Sequence, residues 1–204
     1  MRARQRFIHT FALSLALAVP ALAALNPKAP LHSPADANAA VSVAISLDEL
    51  SASSSHVVVA VAGEKRSAWE DLPGGRRIVT YTRFRVERSV GGSPGEEIEV
   101  RTLGGVVGNI GQLVNGDAKI GKGERALIFL FKTAKNTFVV NGMAQGHFPI
   151  RPDVQGNPKL FASPDAGSIL PRRGPTISAQ ERLVGLSPDS AIALIESLKR
   201  TQKP

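Results

Sequence analysis

The chain has 204 residues and no cysteine, and its 25 Lys and Arg against 17 Asp and Glu give a formal charge of +8 at pH 7. This length supports one domain with a substantial core, plus tails. Without cysteine, disulfides, thiol nucleophiles, cysteine-ligated zinc and iron–sulfur clusters are excluded, so the core alone must stabilise the fold.

The N-terminus predicts a secretory signal peptide over residues 1–23. Three arginines precede an apolar run at residues 11–19, and Ala21-Leu22-Ala23 supplies a small-x-small cleavage pattern. The run is shorter than the about 20 residues that span a bilayer, which argues against a transmembrane anchor. Cleavage before Ala24 would lower the charge from +8 to +5, because three arginines and no acid are lost. We therefore expect Sec-type export to the periplasm or the medium, and a charge too small for a dedicated nucleic-acid binder.

Residues 24–45, which begin with a segment rich in Ala, Pro and Asn, are predicted to form a flexible leader. Ser46 and Glu49 then have the spacing of a capping box, and Ile45 and Leu50 that of a hydrophobic staple. This pattern predicts a short helix near residues 47–53.

Strand patterns follow the helix. Residues 56–62 (HVVVAVA) form a β-branched run typical of a strand buried on both faces. The polar stretch 63–75 is predicted to be a connection. Residues 77–88 and 96–102 alternate between apolar and polar side chains, which predicts two strands with one wet face each.

Between these two strands, residues 91–95 (GGSPG) match the G-x-S-x-G pattern found around the nucleophilic serine of many hydrolases. That nucleophile lies on a strand-to-helix turn and needs the backbone N–H of the next residue for the oxyanion hole. Here the next residue is Pro94, which has no N–H, and a strand follows instead of a helix. The segment is therefore interpreted as a hairpin turn.

Residues 103–116 (LGGVVGNIGQLVNG) contain five glycines that suggest a phosphate-binding loop. Their spacing fits neither G-x-G-x-x-G nor G-x-x-x-x-G-K-[ST], and no helix pattern follows. We interpret the stretch as a long, folded-back loop that needs glycine for its backbone conformation.

Residues 126–131 are apolar at every position, which predicts a central strand covered on both faces, with Phe129 and Phe131 sharing one of them. Residues 137–146 are predicted to be its hairpin partner, with bends at the two glycines. Extended chain is expected at residues 147–150 and a short strand near 159–162.

Residues 163–186 are rich in Pro, Gly and charge and are predicted to be a linker. Ser187 and Pro188 fit the N-cap and N1 positions of a helix whose apolar side chains lie on one face. We expect this C-terminal helix and a tail to occupy residues 187–204.

Five main strands joined by turns, with a helix before and after them, predict a mainly β fold. We expect a small five-stranded OB-like barrel over residues 46–162, and an open β-sandwich is the alternative.

Several motifs between residues 46 and 150 carry a resemblance: Ser46-Leu47-Asp48-Glu49-Leu50, Trp69-Glu70-Asp71, Arg77-Ile78-Val79-Thr80, Gly104-Gly105, Gly123-Glu124-Arg125 and Gly142-Met143-Ala144-Gln145-Gly146. With them the chain resembles a group of small exported bacterial proteins of unknown function. The resemblance implies an OB barrel similar to that of the netrin module and the tissue inhibitors of metalloproteinases. A shared fold implies no function by itself.

No combination of nucleophile, base and acid is evident, so the first functional expectation is a non-catalytic binding module of unknown protein or polymer ligand, without a cofactor. A protease-inhibitor-like module is the second expectation, from fold analogy. The histidines that would remain after cleavage are far apart and predict no metal site. They are His32, His56 and His147.

A third expectation is a polyanion binder, with nucleic acid as a less favoured ligand. It has one candidate binding face, formed by Tyr81, Arg83, Arg85 and Arg101. Nearby glutamates dilute this face, and alternating charges usually mark a solvated strand. An enzyme is the least favoured reading and would need acids to converge in the fold. The candidates are Glu70, Asp71, Asp117 and Glu124.

Overall fold

The computed structural model describes residues 40–135, 137–174 and 176–201, which are mainly β. The predicted signal peptide and residues 24–39 of the predicted leader lie outside this part. The helices are α1 (Leu47–Ser53), α2 (Ala179–Leu183) and α3 (Pro188–Thr201), with 3-10 turns at Met143–Gly146 and Pro164–Ala166. The strands are β1 (Val41–Val43), β2 (His56–Leu72), β3 (Gly75–Val90), β4 (Glu97–Leu103), β5 (Gly105–Val107), β6 (Ile110–Gln112), β7 (Arg125–Lys132), β8 (Phe138–Val140), β9 (His147–Pro152), β10 (Pro158–Leu160) and β11 (Ser168–Leu170).

Five strands form a ring. β3 pairs antiparallel with both β2 and β4, β4 pairs in parallel with β8, and β7 pairs antiparallel with both β8 and β2. Each strand of the ring therefore has two neighbours within it, as in the predicted OB-like barrel and unlike an open sandwich. β9 pairs with the first half of β7, on the edge that β8 uses further along, and β10 pairs with β9.

Two hydrophobic clusters lie on opposite faces of β2 and β7. Alternate residues of these strands face either side, so Val58 and Ile128 belong to the barrel interior, whereas Val59 and Phe129 pack in the cluster that contains residues of the helices. The uninterrupted apolar runs at residues 57–60 and 126–130 supply both clusters, which explains why these strands do not alternate.

Capping interactions define the helix starts. Ser46 Oγ accepts from the Glu49 N–H at 3.2 Å and Glu49 Oε2 accepts from the Ser46 N–H at 3.1 Å, which confirms the predicted capping box of α1. At α3, Ser187 Oγ accepts from the Ser190 N–H at 3.2 Å, as expected for an N-cap. A second capping box, at Ser178 and Glu181, begins α2.

The prediction of a polar connection at residues 63–75 is wrong. β2 continues to Leu72, and its second half pairs with β3 from Thr82 to Gly75 after a register shift between Ala62 and Lys65. The long β3 offers its backbone groups to a partner along its whole length. The cross-strand hydrogen bonds of this β2–β3 hairpin override the polar composition of residues 64–72.

Two further differences affect β7 and its partner. Phe131 is 48% exposed rather than buried, so the covered part of β7 ends at Leu130. The predicted partner strand at residues 137–146 is only three residues long. Gly142 and Met143 then adopt left-handed backbone conformations, with φ of 72° and 54°, and lead into the 3-10 turn.

Segments at both ends of the described part also take defined positions. β1, at the end of the expected leader, pairs in parallel with β11, which lies in the expected linker. Ala179 and Leu183 of α2, in the same expected linker, belong to the cluster with the helices. Residues 91–95 join β3 to β4, which confirms a strand-to-strand turn in place of a nucleophile elbow.

Candidate ligand-binding site

A cavity of about 420 Å³ lies at one end of the barrel, beneath the glycine-rich loop of residues 103–116. Its floor comes from Ala118 and Ile120, which also belong to the barrel interior. β5 and β6 form a small hairpin at its lip. The lining is mostly apolar and includes Leu103, Val106, Leu113, Val114, Ala118 and Ile120.

Two glycines let the loop fold back over the barrel end. Gly104 and Gly105 have φ of 87° and 133°, which side chains with a Cβ rarely adopt. A Cβ on Gly105 would lie 2.3 Å from Thr80 Oγ1 and 2.5 Å from Ser67 Oγ. The close approach of this backbone to β2 and β3 therefore requires glycine.

Several hydrogen bonds hold the loop against the barrel. Thr80 Oγ1 donates to the Gly104 carbonyl at 2.7 Å, and the Ile78 N–H donates to Gln112 Oε1 at 2.6 Å. The buried Asp117 carboxylate accepts from the N–H groups of Leu103 and Ala118. Burial raises the pKa of Asp117 above its ordinary value, although these two donors oppose the shift.

The charged groups at the lip are lysines. Lys119 pairs with Asp165 at 3.1 Å, so its charge is already balanced. Lys65 is exposed and has no ion-pair partner among the described residues. The adjacent Glu64 pairs with Lys122 at 2.6 Å. No carboxylate lines the cavity.

The structure places Tyr81, Arg83, Arg85 and Arg101, the predicted binding face, on one side of β3 and β4. Glu70 accepts from Tyr81 Oη at 2.8 Å and from Arg101 Nη1 at 2.7 Å, and the side chains of Arg101 and Glu70 are only 17% and 19% exposed. Burial and the bond to Glu70 raise the pKa of Tyr81.

Other acids balance most of the remaining positive charge of this face. Arg66 lies over the Tyr81 ring, 4.1 Å from its centroid, and donates to Glu99. Arg85 pairs with Glu87 at 3.5 Å. Arg83 is thus the only one of the four predicted residues without an ion-pair or hydrogen-bond partner in the described part of the chain. The face presents a network of alternating charges.

The buried Ser163 and His147 also meet the partly exposed Glu124. His147 Nδ1 lies 3.2 Å from Ser163 Oγ, and its Nε2 lies 2.8 Å from Glu124 Oε1. The sequence gives no signal for this set, since the three residues come from separate segments. The His147 side chain is 0% exposed, so a substrate cannot reach it, and the set ties residues 124 and 163 to β9.

Three of the four acids considered for catalysis have structural partners. Glu70 binds Tyr81 and Arg101, Asp117 fastens the loop and Glu124 binds His147. Asp71 lies beside Glu70 at the end of β2. Among residues 40–135, 137–174 and 176–201, no group of three or more His, Asp or Glu side chains could hold a metal ion.

The sequence prediction missed the cavity because it assigned the glycine loop only a backbone role. The available signal was the apolar side chains between its glycines, which a purely solvated loop would not need. Val106 and Leu113 are 65% and 57% exposed at the lip, although both are large and apolar. Exposed apolar side chains beside a cavity are typical of ligand-binding sites.

A scan against models of known protein families finds no match to this chain, and neither do searches of curated proteins and of solved structures. None of the helices within the described ranges has the length and apolarity of a membrane span. The fold thus defines a mainly β, barrel-containing protein without cysteine.

Proposed function

We propose that this protein is an exported, non-catalytic binding module and that the cavity beneath the glycine-rich loop is its binding site. The observation that carries the proposal is the cavity itself. Its volume of about 420 Å³ falls in the range of roughly 300–1,000 Å³ for ligand pockets, and barrel mouths are common places for such pockets. The pattern in residues 1–23 supports export.

The chemistry of the lining supports binding rather than catalysis. The two hydroxyls of the lining, on Thr80 and Thr102, donate to backbone carbonyls, and neither histidine nor a carboxylate lines the cavity to act as a base. The acid pairs on the arginine face make a polyanion site there a weaker proposal. The protease-inhibitor-like alternative stays a prediction from fold analogy, to which the cavity adds nothing.

The test is titration of the purified protein with neutral N-phenylnaphthylamine, a dye that fluoresces in apolar surroundings. We expect saturable binding of one dye per chain. Leu113→Ser should weaken it about fivefold or more, because each removed apolar contact is worth on the order of 1 kcal/mol or more. Val154→Ser is the control, since Val154 is 97% exposed and does not line the cavity.

Both variants change surface positions, so their melting temperatures should stay close to that of the unchanged protein. Absence of saturable dye binding would overturn the proposed function. Equal losses in Leu113→Ser and Val154→Ser would place the dye elsewhere and overturn the assignment of the cavity.

A further inference from the structure

We infer, on the basis of the proposed binding function, that the ligand of this cavity is an anionic amphiphile, with an apolar body inside and an acidic head group at Lys65. A large part of the lining is apolar, so the buried portion of a ligand must be apolar as well. The identity of the head group follows from the polar groups that remain available at the lip.

These available groups are hydrogen-bond donors. Gln112 Oε1 already accepts the Ile78 N–H, which leaves the amide NH₂ of Gln112 to donate. The Thr80 hydroxyl donates to the Gly104 carbonyl and also contacts Ser67 Oγ at 2.9 Å, so it is engaged within the protein. A head group that accepts hydrogen bonds therefore matches this lip better than one that donates them.

The charged side chains that line the cavity are both positive. Lys65 lines the cavity without an acidic partner among the described residues, whereas Asp165 balances Lys119. Because Glu64, the nearest acid in sequence, is held by Lys122, Lys65 is left to attract an external anion. No acid of the lining opposes this attraction. A carboxylate, sulfate or phosphate head group has the required charge and acceptors.

The experiment compares three amphiphiles with the same alkyl chain as competitors of N-phenylnaphthylamine, each below its micelle concentration. They are dodecanoate, dodecanol and dodecyltrimethylammonium. We expect dodecanoate to bind about five- to tenfold more tightly than dodecanol, and dodecyltrimethylammonium to bind most weakly. The preference for dodecanoate should shrink at high salt, because exposed charges are screened.

Lys65→Gln should bring dodecanoate affinity down to that of dodecanol and leave dodecanol affinity unchanged. Lys135→Gln is the matched control, since it removes the same charge from an exposed position in the β7–β8 turn that does not line the cavity. It should keep the preference for dodecanoate. Leu113→Ser should weaken dodecanoate and dodecanol equally, which separates the contribution of the chain from that of the head group.

The outcomes separate the inference from the proposed function. If the dye binds but dodecanoate shows no advantage over dodecanol, or the cationic amphiphile binds best, the anionic head group is wrong and the cavity remains a binding site. An equal loss in Lys65→Gln and Lys135→Gln would show a nonspecific charge effect and also overturn the inference. If the dye itself does not bind, the proposed function fails first.

Discussion

Phe129 and Phe131 lie two residues apart on β7, and alternation places both on the same side of the strand. Phe129 is fully buried and packs edge-on against Phe148, with 6.0 Å between ring centroids, whereas Phe131 is 48% exposed. The layer of side chains that covers this face of β7 therefore ends between these two residues. Residue type alone does not show where that layer ends.

This pair makes a matched test of the core. Phe129→Ala should lower the free energy of unfolding by about 3–5 kcal/mol, and Leu130→Ala, on the barrel-interior face, by about 2–5 kcal/mol. Phe131→Ala should change it by about 0.5 kcal/mol or less, as is usual for surface sites. Denaturant melts of the three variants give these values. A cost for Phe131→Ala close to that of Phe129→Ala would contradict the burial difference between the two rings.

At the scale of elements, the glycine-rich loop crosses and covers one end of the barrel. The position of the loop depends on Gly105, whose missing Cβ leaves room for Thr80 Oγ1 and Ser67 Oγ. The hydrogen bond from Thr80 to Gly104 then fixes the loop against β3. The same contacts shape the upper wall of the cavity, so loop position and ligand binding should change together.

Gly105→Ala should therefore lower the free energy of unfolding by about 1–3 kcal/mol, because it combines a clash with an unfavourable φ. It should also weaken dye binding and speed proteolysis within residues 103–116. Gly111→Ala is the control in the same loop. Its φ is not positive and its Cβ would meet only Val106 Cγ2, at 3.8 Å, so its effect on the free energy of unfolding should be close to zero. Equal stability of the two variants would contradict the role of Gly105 in holding the loop on the barrel.

For the whole molecule, the two hydrophobic clusters share β2 and β7 as a common wall. One cluster fills the barrel, and the other lies between the sheet and the helices. With no disulfide, burial on both faces of these strands provides the main stabilisation.

The proposed export gives a prediction for residues 1–23. Protein recovered from the periplasm or medium should begin at Ala24, because small residues at positions 21 and 23 precede that site. N-terminal sequencing and intact mass measure the cleavage. Changing both Ala21 and Ala23 to Arg should block cleavage and retain the precursor. Exported protein that still begins with Met1 would show that residues 1–23 are not removed.

The sequence by itself determined the features that depend on local patterns. Ser46 and Glu49 predicted the start of α1 because a capping box needs only four neighbouring residues. The apolar runs at residues 57–60 and 126–130 predicted strands buried on both faces, and Pro94 excluded a nucleophile elbow. The mainly β class followed from these periodicities.

Tertiary structure decided what depends on pairing and packing between elements. Pairing with β3 extended β2 to Leu72 despite its polar composition. Glu70 reached Tyr81 and Arg101 across the sheet and balanced part of the predicted basic face. The cavity formed because the loop folds back over the barrel and leaves Lys65 at its lip. Local periodicity specifies which way a side chain points along its own element, but only the packed chain fixes what that side chain meets.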